Sequence, residues 1–265
     1  MIKKLRKIII VLLILILFIA SNVLISRYLS MKADKKEKYQ EIKENTNLIK
    51  EIIIEFEKDY EVLEDQDIQD LDYLNFSKEL IKRLNKKYNT DKIIAFLDTG
   101  EAGIREIIAF DPNSDFFDRR NIKGEYEYSG TLFLYKENES ITDPYINIFG
   151  HSMQDKTRLG KLLDYPTNKE SLVKANLFTN EGIYQYELVQ VSEIDTVSDD
   201  DYLTWQKDDF FRFYEDSSKS GLIEQLEKPD VEASYMLLNT CADLHGNKKR
   251  IAIYKLIKVK DGMKE

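Results

Sequence analysis

Two kinds of hydrophobic pattern divide this chain. The first is an unbroken apolar run, Ile8 to Ile25, with no charged residue inside it. At about 1.5 Å of rise per residue it spans roughly 27 Å, close to a hydrocarbon core of about 30 Å, so it predicts a transmembrane helix at residues 8–25. A cleaved signal peptide has a shorter apolar region, roughly 7–15 residues, followed by a small-x-small site. Ala20-Ser21-Asn22 matches that site poorly, and the run is expected to remain as an anchor. Lys3, Lys4, Arg6 and Lys7 precede it and favour a cytoplasmic tail at residues 1–7, with the bulk of the protein outside the cell. Arg27, Lys32, Lys35, Lys36 and Lys38 come after the run and pull the other way.

Beyond the run the apolar positions take a helical period. Ile49, Ile52, Ile53 and Phe56 fall at i, i+3, i+4, i+7, with Lys50, Glu51, Glu55 and Glu57 between them. Phe76, Leu80, Ile81, Leu84 and Tyr88 resume the pattern beyond an acidic stretch at Glu64 to Asp72 that reads as a loop. Residues 26–90 are therefore expected to form a helical stalk packing on the C-terminal domain. The stripe does not persist for the several heptads of a coiled coil.

From Lys92 onward the period falls to that of strands. Ile93–Leu97, Glu106–Phe110, Gly130–Tyr135, Tyr145–Phe149, Tyr184–Val191, Tyr235–Cys241 and Arg250–Val259 are short apolar or alternating runs bounded by turn residues. They lack a βαβ rhythm, which makes residues 91–265 a mainly β domain, an antiparallel barrel or sandwich. One segment departs from this pattern. Asp208–Glu215 reads as a short helix started by acidic residues and ended near Gly221.

Composition narrows the function. The net charge is −9, and four of the cations lie in the first seven residues, so the remainder is more acidic still. Nucleic-acid binding needs clustered cations and is not expected. Thirteen Phe and sixteen Tyr supply enough apolar surface for a core. One cysteine excludes an intramolecular disulfide and a cysteine-based zinc site, and two histidines leave little to hold a metal.

Candidate chemistry centres on Cys241 at the end of its strand. A lone cysteine is commonly a small buried hydrophobe. An unpaired thiol outside the reducing cytoplasm, at a strand-to-loop edge where reactive groups are presented, invites a functional reading. A free thiol is only a few per cent thiolate at neutral pH and needs a nearby base or cation. His151 comes after a strand and Gly150, and His245 lies four residues past Cys241 in a polar loop; spacing alone does not choose between them. If Tyr235–Cys241 and Arg250–Leu256 form a hairpin, Cys241 and Arg250 lie at its mouth, where a guanidinium could grip a carbonyl or oxyanion. Lys248 and Lys249 read as solvated charge.

These residues together resemble the sortase family, class B in particular. Ile148-Phe149-Gly150-His151-Ser152-Met153-Gln154-Asp155 is similar to the family's Tyr-Gly-His-Asn-Met-Lys-Asp motif, and Leu159-Gly160 with Leu162 to Tyr165 continues it. Leu238-Asn239-Thr240-Cys241 resembles Thr-Leu-Ser-Thr-Cys, with Arg250 where the essential arginine is expected. Asp115-Phe116-Phe117 and Gly130–Leu134 resemble the strand region before the histidine motif, and Asp208–Glu215 the class B helical insertion. The likeness covers roughly Ile93 to Val259. Serine stands at Ser152 for the usual asparagine, asparagine at Asn239 for the usual serine, Leu237 for the first threonine, and Tyr135 where an acidic residue is common.

The resemblance implies a sortase-like β-barrel and a membrane-anchored cysteine transpeptidase with no cofactor or metal. Cys241 would attack a carbonyl within the C-terminal sorting signal of a secreted protein. His151 would serve as acid and base, and Arg250 would hold the carbonyl or oxyanion with help from the Ala242 N–H. Asn239, Thr240, Ala242 and Ser152 would contact substrate, and a cell-wall precursor amine would accept the acyl group. Two other readings share these residues: an extracytoplasmic binding module that keeps the barrel without turnover, and a cysteine peptidase that releases its product to water.

Overall fold

The structure, a computed structural model, describes residues 2–61, 73–165, 174–195, 207–218, 221–223, 229–243 and 247–261. The chain divides into two compact units, Met1–Glu41 and Ile42–Glu265. The first is helical throughout its described length, part of helix α1 (Ile2–Glu61). Its Leu15 to Ile19 and Val23 to Ile25 side chains are all about half exposed or more. The Leu15–Ile52 stretch contains a window long and apolar enough to cross a membrane.

In the second unit, α2 (Tyr73–Tyr88) buries Phe76, Leu80, Ile81 and Leu84, one face of an amphipathic helix. These side chains meet Ile52, Ile93, Phe96, Ile107 and Ala109 in a layer between the helices and one wall of the sheet. Each large apolar side chain buried there is worth roughly 1.5–3 kcal/mol relative to exposure. The Ser77 hydroxyl donates to the Thr179 carbonyl at 2.7 Å and so ties α2 to the sheet by more than apolar contact. The predicted loop at Glu64 to Asp72 lies outside the described residues.

The sheet comprises β1 (Ile93–Asp98), β2 (Arg105–Ala109), β3 (Leu132–Leu134), β4 (Tyr145–Phe149), β5 (Lys174–Thr179), β6 (Gly182–Asp195), β7 (Gly221–Ile223), β8 (Tyr235–Cys241) and β9 (Lys248–Lys260). Its order is β5-β1-β2-β3-β4-β8-β9-β6-β7, and β5 also pairs with β6. Eight strands therefore close into a barrel, and β7 pairs with β6 at Val191 and Ser192, beyond the part of β6 that pairs with β5. Closure leaves no barrel strand with an unpaired edge. The fold is mainly β, as the strand pattern predicts, with two parallel pairings, β2–β3 and β4–β8, within an otherwise antiparallel barrel. A strand pattern alone carries no information on relative direction.

Alternation sorts side chains to the two sides of the wall. Leu132, Ile146, Ile148, Met236, Leu238, Ala252 and Tyr254 fill the interior. On the outer side, Tyr235, Leu237, Ile251 and Ile253 pack beneath Phe210 and Tyr214 of α3 (Lys207–Ser218), the helix that precedes the cysteine strand.

Candidate active site at the barrel rim

Because β4 and β8 run parallel, their C-terminal ends emerge at the same rim. Their ladder runs from Tyr145↔Tyr235 to Phe149↔Asn239. The Gly150 N–H extends it, donating to the Asn239 carbonyl at 3.2 Å. One residue past His151, the Ser152 hydroxyl donates to the Cys241 carbonyl at 2.6 Å. A tertiary pairing thus brings the histidine loop and the cysteine together across 89 residues of sequence.

The His151 ring is mostly buried, and its Nε2 meets the Asp118 carbonyl at 2.8 Å and the Asp118 carboxylate Oδ1 at 3.2 Å. Both partners accept, so Nε2 carries the proton, and in the neutral ring Nδ1 holds the lone pair. Asp118 sits in a short 3-10 turn, Phe116–Arg119. Gly130 packs against that turn with φ +58°, and a Cβ at this position would collide with the Asp118 carbonyl. The hydrogen bond from His151 is the main cause that holds the Asp118 carboxyl below the usual range, with the charges of Arg119 and Lys249 adding to it. Asp118 has no motif of its own, and it escapes a reading of the sequence because only tertiary folding sets it beside the imidazole.

The loop after His151 is fixed from below. Ser152 and Arg158 form a β-bridge, and the Leu159 N–H donates to the His151 carbonyl at 3.0 Å. Arg158 is 1% exposed; it pairs with Glu106 of β2 at 2.5 Å and with Glu127 at 3.3 Å. The second pairing reaches the segment between Asp118 and Gly130, so one guanidinium braces both sides of His151.

Cys241 is half-buried, its thiol free. Across the β8–β9 hairpin it stands opposite Lys249, and Thr240 stands opposite Arg250. The Lys249 ammonium lies 3.6 Å from the Cys241 sulfur. Lys249 therefore departs from its expectation as a solvated charge. Arg250 donates to the Leu163 carbonyl at 3.0 Å and to Glu193 Oε2 at 2.7 Å. The Arg250 bond is the leading cause that holds the Glu193 carboxyl low.

Among the remaining expected contacts, Ser152 joins the Cys241 carbonyl as described. The Asn239 side chain is fully buried, and neither of its amide atoms has a hydrogen-bond partner. The Thr240 hydroxyl is likewise buried and unpaired, on the Arg250 side of the strand. The Ala242 N–H donates to the Lys248 carbonyl at 2.8 Å, so the hairpin occupies the donor that the resemblance assigns to an oxyanion. His245 lies outside the described residues. Among the described residues no group of His, Cys, Asp and Glu is arranged to hold a metal ion.

No protein-family model and no curated protein matches the chain. Solved structures do. A sortase B complexed with triglycine is 17% identical, with a TM-score of 0.63 over 83% of this chain and 98% of that one. The Staphylococcus aureus sortase B–substrate complex is 17% identical, with a TM-score of 0.58 over 68% and 86%. A mutant form of Clostridium perfringens sortase B is 16% identical, with a TM-score of 0.58 over 70% and 90%. The barrel of this chain has the fold of these sortase B structures.

Proposed function

We propose that this chain, with its sortase B fold, is a membrane-anchored cysteine transpeptidase acting on sorting signals of secreted proteins outside the cell. The observation that carries the reading is the Ser152–Cys241 bond, which joins the histidine loop to the cysteine at one barrel rim. The solved neighbours include a substrate complex and a triglycine complex, which supports a peptide donor and an amine acceptor here. The apolar stretch in α1 supports the anchor.

In this reading the Cys241 sulfur attacks a peptide carbonyl. A carbon–sulfur bond forms, the amide carbon–nitrogen bond breaks, and His151 passes to the leaving amine the proton that its Nδ1 lone pair has taken from the Cys241 thiol. Asp118 stabilises the imidazolium through Nε2. An incoming amine then attacks the thioester and returns a proton to His151, forming a new amide and releasing the thiolate. The acyl bond energy is kept through the thioester, so no nucleotide is consumed. Arg250 uses two of its five N–H donors on Leu163 and Glu193, and its unpaired Nε is among those left for a substrate carbonyl. Asn239, two residues before Cys241 on the same side of the strand, offers its amide to the substrate.

A second reading, a binding module without turnover, draws on the Arg250 guanidinium being held by Glu193 and Leu163. The test uses the full chain in detergent micelles with a panel of quenched sorting-signal peptides, with and without triglycine. Cleavage lost in Cys241→Ala and His151→Ala, with a triglycine-linked product by mass spectrometry, is the expected result; Cys241→Ala should melt as the parent does, and His151→Ala, which loses its bonds to Asp118, somewhat lower. A product formed only with water makes the protein a peptidase, and no thioacyl adduct with any peptide supports the binding module. Loss of activity in His245→Ala with His151→Ala active would overturn the histidine assignment.

A further inference from the structure

The register of the last hairpin determines which cation meets the sulfur. Residues directly opposite in an antiparallel ladder share a face, and a one-residue step reverses it. From Tyr235↔Lys255 to Cys241↔Lys249 the β8–β9 pairing runs without a bulge. Leu237, Ile251 and Ile253 pack under α3, whereas Met236, Leu238, Ala252 and Tyr254 pack inside the barrel. By the same alternation Cys241 and Lys249 take the α3 side, and Thr240 and Arg250 take the other. The contacts agree: Lys249 Nζ reaches the sulfur at 3.6 Å, while Arg250 bonds Leu163 and Glu193. Lys248, one step back, pairs with the same Glu193 at 3.4 Å.

We propose that Lys249, rather than Arg250, is the catalytic cation at Cys241, donating to the sulfur and pairing with its negative charge when the thiol gives up its proton and when the thioester breaks. An ammonium on a flexible stem is a compact charge that tracks the sulfur as it forms and breaks the thioester. Asp118, the partner of His151, sits where the Lys249 charge is felt, so the same ammonium that meets the sulfur also acts on the carboxylate beside the imidazole. Arg250 instead fastens β9 to β6 and to the 3-10 segment Leu159–Asp164. For its part in catalysis this inference rests on the transpeptidase reading; its physical core, a cation that activates the thiol, does not.

The test is the second-order rate of Cys241 alkylation by neutral iodoacetamide at pH 7, on the full chain in detergent micelles, alongside peptide cleavage. A hydrogen bond to a charged group is strong enough for Lys249→Met to slow alkylation by about 10-fold or more. Lys249→Arg should stay within about threefold of the parent, and Lys248→Met should leave it unchanged. Arg250→Met should lower the melting temperature and leave alkylation within about threefold. Alkylation unchanged in Lys249→Met, or slowed only in Arg250→Met, overturns the proposal. If alkylation depends on Lys249 while the parent cleaves no peptide, the cation assignment stands and the transpeptidase reading fails. If the parent cleaves peptide and Lys249→Met cleaves it equally well, the reverse holds.

Discussion

The hydroxyl of Ser152 donates to the carbonyl of Cys241 at 2.6 Å, continuing through a side chain the ladder that β4 and β8 begin through their backbones. Where the related motif has asparagine, the shorter serine makes this bond directly. Removing it frees the histidine loop from the cysteine strand without touching a reacting atom. Ser152→Ala is expected to lower stability by about 1 kcal/mol, the ordinary worth of one hydrogen bond. In the transpeptidase reading the larger effect should be on kcat, with KM little changed, because the His151 loop loses its side-chain tie to the cysteine strand. Steady-state kinetics with a cleaved sorting-signal peptide separates the two.

Asn239 combines full burial with an unpaired amide. Such a group costs stability in the free protein, and replacing it with an apolar side chain of similar shape is neutral or stabilising. Asn239→Leu should therefore melt at or above the parent's temperature. Its kcat/KM for the same peptide should fall by about 10-fold, the loss of one buried hydrogen bond to substrate. A variant that melts lower and keeps full activity would show that the amide serves the fold alone.

The Arg158–Glu106 pair is buried on both sides. Removing one partner leaves an uncompensated charge in the interior, which costs about 3–5 kcal/mol. Arg158→Met should show that loss in urea denaturation of the full chain in micelles. The double variant Arg158→Met with Glu106→Leu should recover part of it, because the fully buried carboxylate is gone and the one that remains, Glu127, keeps the Ser129 hydroxyl as a donor. Equal loss in the single and double variants would point to packing, not charge.

Acid should weaken the fold through Asp118 and Glu193. Hydrogen bonds from His151 and Arg250, respectively, are the first causes that hold these carboxyls low. A carboxyl lower in the folded than in the unfolded chain adds stability that is complete above its unfolded value, near pH 4. That stability is lost as the pH falls through the folded value. Urea midpoints should thus be flat with respect to these two groups near neutrality and decline below about pH 4. Glu193→Gln should remove part of that decline.

Much of the architecture is legible along the chain. The runs at Ile93, Glu106, Tyr145, Tyr235 and Arg250 are strands, and the acidic start before Phe210 opens α3, which extends to Lys207–Ser218. Two strands escape the pattern. In β5, Asn176 and Phe178 face the outside half-buried, blurring the alternation of Ala175, Leu177 and Thr179, and β7 has only three residues. Cys241 and His151 stand out by residue type and motif. Lys249 and Arg250 differ by a single step of register that composition does not encode, and Asp118 reaches His151 through a turn whose position depends on Gly130.

The shared direction of β4 and β8 has a consequence for how this protein can vary. His151 and Cys241 both follow from adjacent strands, so the stretch from Asp195 to Tyr235, with α3 and β7 in it, is a detour that begins and returns within the barrel. Closing a longer detour costs only about 0.6 kcal/mol for each doubling of its length. Insertions or exchanges there can reshape the outer face of the cysteine strand while the β4–β8 ladder keeps the backbones of the histidine loop and the cysteine in register.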